Sequence, residues 1–508
     1  MGKVFSLHKI RSTWPWAKDK ASPDGTLTLT PDPSNRLQDQ ILGTIYGNCI
    51  GDAIGLMTEF LNKEQATKYY GGKHLEYPMK EITAAHFMHQ MVFPEADWTD
   101  DSDQMILILQ SLMDKGGKAD AVDFASKLLD WLKQGFPELG DPCGMGVGRT
   151  TWKVLNNRDY RTDPHKAAAN VWEESNRFVA PNGGVMRTSI VGVHRHDDIN
   201  QVISNTKVFC KVTHADPRCV ASCVAVTTAI AMMLQGQHRK PDGHYDVASL
   251  TEASFGYAKE CLLRDDEGNL DAEQIEQLRF HMNASLRELE LDDKKKIGYT
   301  FKCLGAGFWA LRQDNFRETI EALTLEGGDA DTNGAVAGAL LGCKLGFGKL
   351  PKSWRNDLKH KKWLDDIIEK YFQMDIMMEN CGTPVDGPEG GVRLAGAEQN
   401  KTHTVATAET ERTDETPEPS EEVRGQGQSL DTSQKLADTD ARVSADLPLH
   451  SSEHDGRSEV KPDKSTEVTD QTAVTDHTEV SGQSDIASNS AEVARTGESP
   501  DKLPQTAS

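Results

Sequence analysis

Residues 327–333 read Gly327-Gly328-Asp329-Ala330-Asp331-Thr332-Asn333 and lead directly into helix-like apolar sequence at 335–345. A second acidic stretch, residues 99–104, reads Thr99-Asp100-Asp101-Ser102-Asp103-Gln104 and leads into the apolar run 105–109. Charged groups at the mouth of a buried helix repel one another, and burying them is costly unless a cation neutralises them. We therefore expect the two acidic stretches to be the halves of one metal site in a helical protein.

The two stretches offer carboxylate and hydroxyl oxygens and contain no cysteine or histidine. Such a set of hard oxygen ligands suits Mg2+, Mn2+ or Ca2+ better than zinc or copper. The alternative is that each stretch is only an acidic helix N-cap, because Asp, Ser and Thr are favoured where helices begin. The presence of two such stretches, with Gly-Gly before the second, favours the metal site.

Helical periodicity dominates the chain between these stretches and around them. In residues 37–56 the apolar residues recur at three- and four-residue steps with small residues between them, which predicts a tightly packed helix whose glycines admit other backbones. Further helical patterns follow as far as residue 378, and the best strand candidate is the short run 189–194. The sequence therefore predicts an all-α domain over residues 37–385, with a peripheral helical excursion at 236–296.

The two ends of the chain differ from this domain in composition. Residues 1–36 lack periodicity and contain several prolines, which predicts an N-terminal extension. Residues 391–508 contain 24 Asp and Glu against 11 Lys and Arg, and no Phe, Trp, Tyr, Met or Cys. Such a segment cannot bury enough apolar surface to offset its chain entropy. We predict a disordered acidic tail over residues 386–508, which either carries phosphorylation or docks a partner, or only solvates the protein.

Bulk composition narrows the classes of protein. The net charge of −23 argues against a nucleic-acid-binding surface, because phosphate contacts need Lys and Arg. The nine cysteines are scattered and odd in number, which is typical of a reduced, cytoplasmic protein rather than a disulfide scaffold. No run reaches the roughly 18 consecutive apolar residues of a membrane span.

The N-terminus carries one feature that points to a membrane. Residues 1–6, Met1-Gly2-Lys3-Val4-Phe5-Ser6, fit the N-myristoylation pattern with Gly2 as the acceptor, although such a pattern also arises by chance. A single myristoyl chain would give only weak, reversible membrane association.

Taken together, five segments resemble the ADP-ribosylglycohydrolase family, which contains dinitrogenase-reductase-activating glycohydrolases, animal ADP-ribosylhydrolases and J1 crystallins. They occur in the family's order and span most of the predicted domain. They are Gly51-Asp52-Ala53-Ile54-Gly55-Leu56-Met57-Thr58-Glu59-Phe60, Trp98 with residues 99–104, Asn182-Gly183-Gly184-Val185-Met186-Arg187, Thr213-His214-Ala215-Asp216, and residues 327–333.

The resemblance implies a compact orthogonal helical fold with two divalent ions, usually Mg2+ or Mn2+, in a central cleft. The residues that match the family's metal ligands are Thr99, Asp100, Asp101, Asp329, Asp331 and Thr332. Glu59 matches a glutamate that reaches the metal from a mobile loop in family members. Three carboxylates, those of Glu59, Asp100 and Asp329, are candidates for taking a proton from the attacking water, and the sequence does not rank them.

The substrate contacts that the resemblance implies lie in four places. The glycine-rich segment 144–148 stands where the family has a phosphate loop, and its backbone N–H groups could cradle a diphosphate, although such a segment can also be a flexible turn. His214 could hydrogen-bond a ribose or phosphate, or be a satisfied structural histidine. The predicted substrate-binding residues are Gly144, Gly146, Val147, Gly148, Asn182, Gly183, His214 and Gly328.

The function implied by the resemblance is hydrolysis of the N- or O-glycosidic bond at ribose C1 of ADP-ribosyl groups on protein side chains or small conjugates. Arginine and serine linkages, O-acetyl-ADP-ribose and poly(ADP-ribose) are all substrates within the family, and the motifs are closer to the bacterial, arginine-type branch. The alternatives are a catalytically inactive ADP-ribose-binding or crystallin-like relative, and a calcium-binding interaction protein.

Overall fold

A computed structural model describes residues 35–77 and 93–381 of the 508-residue chain. The predicted lipidation at Gly2, nearly all of the N-terminal extension and the acidic tail lie outside the described residues. The predicted domain boundaries at 37 and 385 therefore stay predictions.

The described residues are helical, which confirms the all-α prediction. Over these ranges, β-type backbone pairing is limited to three isolated β-bridges. Their α-helices are α1 (Arg36–Gly55), α2 (Lys63–Tyr70), α3 (Asp100–Asp114), α4 (Ala121–Gln134), α5 (Arg149–Leu155), α6 (Pro164–Glu174), α7 (Ser189–Val193), α8 (Ile199–Lys211), α9 (Pro217–Leu234), α10 (Val247–Lys259), α11 (Ala272–Asn283), α12 (Leu286–Leu289), α13 (Thr300–Leu311), α14 (Phe316–Thr324), α15 (Ala330–Leu345), α16 (Lys352–Asp357) and α17 (Lys361–Cys381).

Helices α1 and α15 pack against each other in antiparallel fashion at the centre of the domain. They approach closely because glycines of one helix face glycines of the other. A Cβ atom built on Gly51 would lie 1.9 Å from the carbonyl oxygen of Gly334, and one built on Gly47 would lie 2.1 Å from that of Gly338. Only a residue without a side chain fits at such distances. The prediction that glycines of the first helix admit another backbone is confirmed.

Helix α9 is almost entirely buried and forms a second central element beside α7, α8, α10 and α13. By length and composition it could span a membrane, contrary to the expectation that no segment is long and apolar enough. However, 89% of this 18-residue helix is buried inside the protein. Its cysteines, Cys219 and Cys223, lie in the core. Helix α9 is therefore a core helix.

The functional region forms where three helix ends meet. The last turns of α1 lie beside the first turn of α15, because the two helices run in opposite directions. Helix α3 begins at the same place, with Thr99 as its N-cap residue and the Thr99 side chain accepting a hydrogen bond from the Asp101 N–H. Each acidic stretch of the sequence therefore lies at the start of a buried helix, as the sequence predicts.

Three features of the fold differ from the sequence prediction. The run 189–194 is not a strand, because residues Ser189–Val193 form the short helix α7. This helix is buried on all sides, so its apolar residues show no helical periodicity, and Gly192 allows close contact with α9 at Thr227. Helices α2 and α16 are too short to be evident from periodicity.

Candidate metal centre and substrate cleft

The two acidic stretches meet in the folded chain. The Thr332 hydroxyl donates a hydrogen bond to Asp101 Oδ1 at 2.9 Å, although the two residues are 231 positions apart. The Thr99 hydroxyl lies 2.9 Å from Asp101 Oδ2 and 3.5 Å from Asp331 Oδ2. All four side chains are buried. The two stretches therefore form one pocket, as expected.

Asp52 is a member of this pocket that the sequence prediction of the site missed. Its carboxylate is fully buried near the end of α1 and accepts hydrogen bonds from the backbone N–H groups of Thr99 and Ser102, each at 3.0 Å. It also accepts from the Ser102 hydroxyl at 2.6 Å and lies 3.0 Å from the Thr99 hydroxyl. Asp52 thus fixes the start of α3. The available signal was an acidic residue among the small and apolar residues of the last turns of α1.

The carboxylates form two groups that share one residue. One oxygen each of Asp52, Asp101 and Asp331 lie within 4.8 Å of one another. The same limit holds for one oxygen each of Glu59, Asp329 and Asp331. Asp331 therefore belongs to both groups and stands between them.

The buried carboxylates strongly disfavour full ionisation of the pocket. Burial raises the pKa of Asp52 to about 7, although its hydrogen bonds act in the opposite direction. Burial, reinforced by neighbouring carboxylates, raises the pKa values of Asp101 and Asp331 well above the ordinary range for aspartate. Taking carboxylates out of water penalises their charged form, and like charges nearby add to that penalty. A bound cation would reverse both effects.

The donor set fits a divalent cation of the hard type. Its side chains present only carboxylate and hydroxyl oxygens, which are the ligands of Mg2+, Mn2+ and Ca2+ in proteins. The carboxylates are close enough to be bridged by single ions, since their oxygens lie within 4.8 Å of one another. The pocket is thus chemically suited to cations, as the sequence predicts.

Glu59 is placed by the loop that follows α1. A short 3-10 helix, Leu56–Thr58, leads to Glu59, and the next two residues, Phe60 and Leu61, hydrogen-bond to Gly328 just before α15. Phe60 donates its N–H to the Gly328 carbonyl, and Gly328 donates its N–H to the Leu61 carbonyl, each at 2.7 Å. These two bonds hold Glu59, which is largely buried, next to Asp329.

The same contacts involve Gly328, which the sequence predicts to bind substrate. Its φ angle is +70°, and a Cβ atom at this position would lie 2.1 Å from the Leu291 carbonyl oxygen. Its N–H is already donated to Leu61, so that group is not available to a substrate. Gly328 therefore shapes the backbone beside the pocket, and its contact with a substrate stays a prediction.

Asp100 lies at the edge of the carboxylate groups rather than inside them. Its Oδ2 accepts a hydrogen bond from Gln104 Nε2 at 2.7 Å. On its other side lies the glycine-rich segment, since a Cβ atom built on Gly146 would come within 2.4 Å of Asp100 Oδ1. Gly146 has a φ angle of +88°, which a residue with a side chain rarely adopts. The structure thus places this segment beside the acidic pocket.

The other members of the glycine-rich segment differ in their surroundings. Gly144 packs against the indole ring of Trp131, and a side chain at this position would clash with that ring. Val147 packs at the margin of the core. Gly148 is exposed and is the N-cap residue of α5, with open space where its Cβ atom would be. Gly144 is therefore packed against the interior, Gly146 lies beside Asp100 and Gly148 is exposed, and their binding of a substrate stays a prediction.

Asn182, Gly183 and His214 lie together in the folded chain, next to Asp329. Asn182 Nδ2 donates to Asp329 Oδ2 at 2.7 Å and so orients that carboxylate. Gly183 packs on the His214 ring, and a Cβ atom there would lie 2.9 Å from Cε1 of the histidine. Burial, followed by the positive charge of Arg187, lowers the pKa of His214 to about 3. The imidazole is therefore neutral at physiological pH.

A cavity of about 350 Å3 opens beside His214, between α5 and α6. Its volume falls in the range of small-molecule sites. Its walls carry both signs of charge and one large aromatic ring, from Arg149, Lys153, Trp172, Glu174 and Asp216. Pro181 and His214 line this cavity, and Asn182, the residue after Pro181, contacts Asp329 of the acidic pocket.

Comparison with known proteins agrees with this geometry. The profile of the family described as ADP-ribosylglycohydrolase matches residues 33–380. The ADP-ribosylarginine hydrolase Tri1 of Serratia proteamaculans is 23% identical over 343 residues, which cover 67% of this chain and 81% of that protein.

Two further relatives match over almost their whole length. The ADP-ribosyl-[dinitrogen reductase] glycohydrolase of Rhodospirillum rubrum is 22% identical, over 64% of this chain and 92% of its own. The ADP-ribosylhydrolase ARH3 of Gallus gallus is 24% identical, over 67% of this chain and 95% of its own. The chain belongs to the ADP-ribosylglycohydrolase family and is an enzyme of the glycohydrolase class.

Proposed function

We propose that this protein is a divalent-metal-dependent hydrolase that cleaves the glycosidic bond at ribose C1 of ADP-ribosyl groups, with ADP-ribosylarginine as the preferred linkage. The observation that carries the proposal is the sharing of Asp331 between two groups of three carboxylates, beside a cavity of ligand size. Two relatives named ADP-ribosylarginine hydrolase support the arginine linkage.

The proposal assigns Mg2+ or Mn2+ to the acidic pocket. The two carboxylate groups would suit two ions, with Asp331 common to both. Bound cations of this kind orient ribose hydroxyls and lower the pKa of a water molecule, which becomes a nucleophile near neutral pH. The side chains that would hold them are Asp52, Glu59, Thr99, Asp101, Asp329, Asp331 and Thr332, with Asp100 as a further ligand at the edge of the pocket.

Two carboxylates, those of Glu59 and Asp329, are well placed to accept the proton of the attacking water. The third candidate, Asp100, is held by Gln104 and by the glycine-rich segment, outside both groups of carboxylates. Glu59 and Asp329 lie in one group, and Asp329 is oriented by Asn182. We therefore favour Glu59 or Asp329 as the general base over Asp100.

The carboxylates also stabilise the reacting sugar. Cleavage at an anomeric carbon passes through an oxocarbenium-like state, whose positive charge is favoured by nearby carboxylates. Water oxygen forms the new bond to C1 while the bond from C1 to the leaving nitrogen or oxygen breaks. The proton taken by the carboxylate then returns to the leaving group.

The rest of the ADP-ribosyl group would extend from the carboxylates into the cleft. Gly146 lies beside Asp100, and the backbone N–H groups of the exposed residues Gly146 and Gly148 would suit a diphosphate. The cavity beside Trp172 has the volume and the mixed lining of a small-molecule site.

The test is release of ADP-ribose from arginine- and serine-ADP-ribosylated peptides, with Mg2+, Mn2+ or EDTA. We expect metal-dependent release, faster from the arginine-linked peptide, and its loss in the D329N/D331N double variant. The exposed Asp266→Asn change controls for loss of charge alone. Full turnover by the double variant or in EDTA would refute the metal assignment. Tight ADP-ribose binding without any release would instead indicate an inactive relative.

A further inference from the structure

Arg187 is a fully buried cation that contacts both walls of the substrate site. Its Nη1 donates a hydrogen bond to Gln104 Oε1 at 2.7 Å. Its Nη2 donates to Thr213 Oγ1 at 2.7 Å and to the Phe209 carbonyl at 3.1 Å. Burying a guanidinium is expensive, and the hydrogen bonds around it must compensate for the water that it loses. The position of Arg187 is therefore tightly determined.

The first of these contacts leads to the acidic pocket. A guanidinium can only donate hydrogen bonds, so the Gln104 side chain must turn its oxygen toward Arg187. Its amide nitrogen then faces Asp100, to which it donates at 2.7 Å. Arg187 thus fixes the orientation of the amide that holds Asp100.

The second contact leads to His214. The Thr213 hydroxyl accepts from Arg187, so its own hydrogen is left to donate. His214 Nδ1 lies 2.7 Å from that oxygen, and no other acceptor of this hydrogen is evident in residues 35–77 and 93–381. A neutral imidazole whose Nδ1 accepts a hydrogen bond carries its own hydrogen on Nε2. His214 is therefore an Nε2–H donor.

This donor faces the cleft. His214 Nε2 lies 3.1 Å from the position of a Cβ atom built on Gly183, and the His214 ring lines the cavity between α5 and α6. A substrate oxygen that approaches past Gly183 would meet an N–H group rather than a lone pair.

We propose that Arg187 is a positioning residue that prepares both walls of the substrate site, holding Asp100 through Gln104 and fixing His214 as a hydrogen-bond donor through Thr213. The acceptor is a ribose hydroxyl or diphosphate oxygen of the ADP-ribosyl group. That identification rests on the proposed function, whereas the state of the imidazole is a property of the free protein.

The direct test is the long-range 15N–1H NMR spectrum of the histidine rings in the full chain without substrate. We expect the Nε2–H tautomer for His214 in the wild type and in Thr213→Ser, which keeps the hydroxyl. Thr213→Val removes the hydroxyl and should give a mixture of tautomers. Thr206→Val replaces another buried threonine, outside the site, and should leave the His214 signals unchanged. An Nδ1–H tautomer in the wild type would overturn the proposal.

Binding measurements separate the two contacts of Arg187. Thr213→Val should raise the Kd for ADP-ribose about tenfold and change the Kd for Mg2+ by less than about twofold, since the hydroxyl that it removes bonds Arg187 and His214 but none of the carboxylates. Gln104→Met should weaken Mg2+ binding more than ADP-ribose binding. Equal losses of both ligands in Thr213→Val would contradict the separation. Wild-type protein with the Nε2–H tautomer but no release of ADP-ribose would refute the proposed function and leave the role of Arg187 supported.

Discussion

The hydroxyl of Thr332 and the carboxylate of Asp101 are joined by a 2.9 Å hydrogen bond that connects the first turn of α15 to the first turn of α3. This bond joins segments that are 231 residues apart. It brings the carboxylates of both helix starts into one buried pocket, where their charges oppose one another. The instability of that arrangement in the absence of a cation underlies the predictions that follow.

Close packing of α1 on α15 should make the fold sensitive to single methyl groups. Gly51→Ala would place a Cβ atom 1.9 Å from the Gly334 carbonyl oxygen, so the two helices must separate. We expect a loss of about 3 kcal/mol or more in the free energy of unfolding, measured by denaturant titration.

Gly256→Ala in α10 is the matched control for that change. Its Cβ atom would meet nothing within 4 Å, so alanine should stabilise the helix by about 0.5–1 kcal/mol. Equal behaviour of the two variants would show that the helix contact is looser than described.

Asp52 should support the metal centre through the start of α3. Asp52→Asn replaces one acceptor oxygen by an NH2 group that faces the donors of Thr99 and Ser102. We expect a loss of about 2–4 kcal/mol in unfolding free energy, together with weaker binding of Mg2+ in calorimetric titration. The exposed change Asp266→Asn should alter stability by less than about 0.5 kcal/mol. Unchanged Mg2+ binding in Asp52→Asn would exclude the supporting role.

Stabilisation by metal should increase with pH. The folded-state pKa values of Asp52, Asp101 and Asp331 are raised above the ordinary value of 3.8. A carboxyl group whose pKa is raised by folding stabilises the metal-free protein at pH values below its unfolded pKa. This stabilisation is lost as the pH rises through the folded-state pKa, which for Asp52 is about 7. Divalent ions bind the deprotonated carboxylates, so at high pH they should restore the stability that the metal-free protein has lost.

The measurement is the change in Tm that saturating Mg2+ produces, followed from pH 6 to pH 8. We expect the change at pH 8 to exceed that at pH 6 by at least about 2 °C. A change in Tm that is independent of pH would mean that the ions bind elsewhere.

The contact of Gly146 with Asp100 should be needed for catalysis but not for folding. Gly146→Ala would place a Cβ atom 2.4 Å from Asp100 Oδ1. We expect kcat/KM for ADP-ribose release to fall at least about tenfold, because displacing a group at the reaction centre is costly.

Gly140→Ala is the control for backbone strain alone. Gly140 has a φ angle of +83°, close to the +88° of Gly146, but its Cβ atom would meet nothing within 4 Å. Both variants should lose similar stability, and only Gly146→Ala should lose activity. Equal activity of the two variants would separate this segment from the site.

Much of the helical domain follows from periodicity and from the composition of helix starts. The acidic stretches before α3 and α15 are visible in sequence, because residues that start a helix form a local pattern. Asp52 is not visible in this way, because its role depends on α3 packing against the end of α1. The same holds for Arg187, whose partners come from α3 and from the end of α8. Helix α7 resembles a strand in sequence, since burial on all sides removes the periodic signal.

Anomalous X-ray scattering from crystals grown with Mn2+ tests the central claim most directly. We expect anomalous difference peaks in contact with the carboxylate oxygens of Asp331, between Asp101 on one side and Asp329 on the other, and their absence in crystals of the D329N/D331N variant. Peaks that lie only elsewhere on the molecule, or peaks at this pocket that persist in the variant, would contradict the assignment of the acidic pocket as the metal centre.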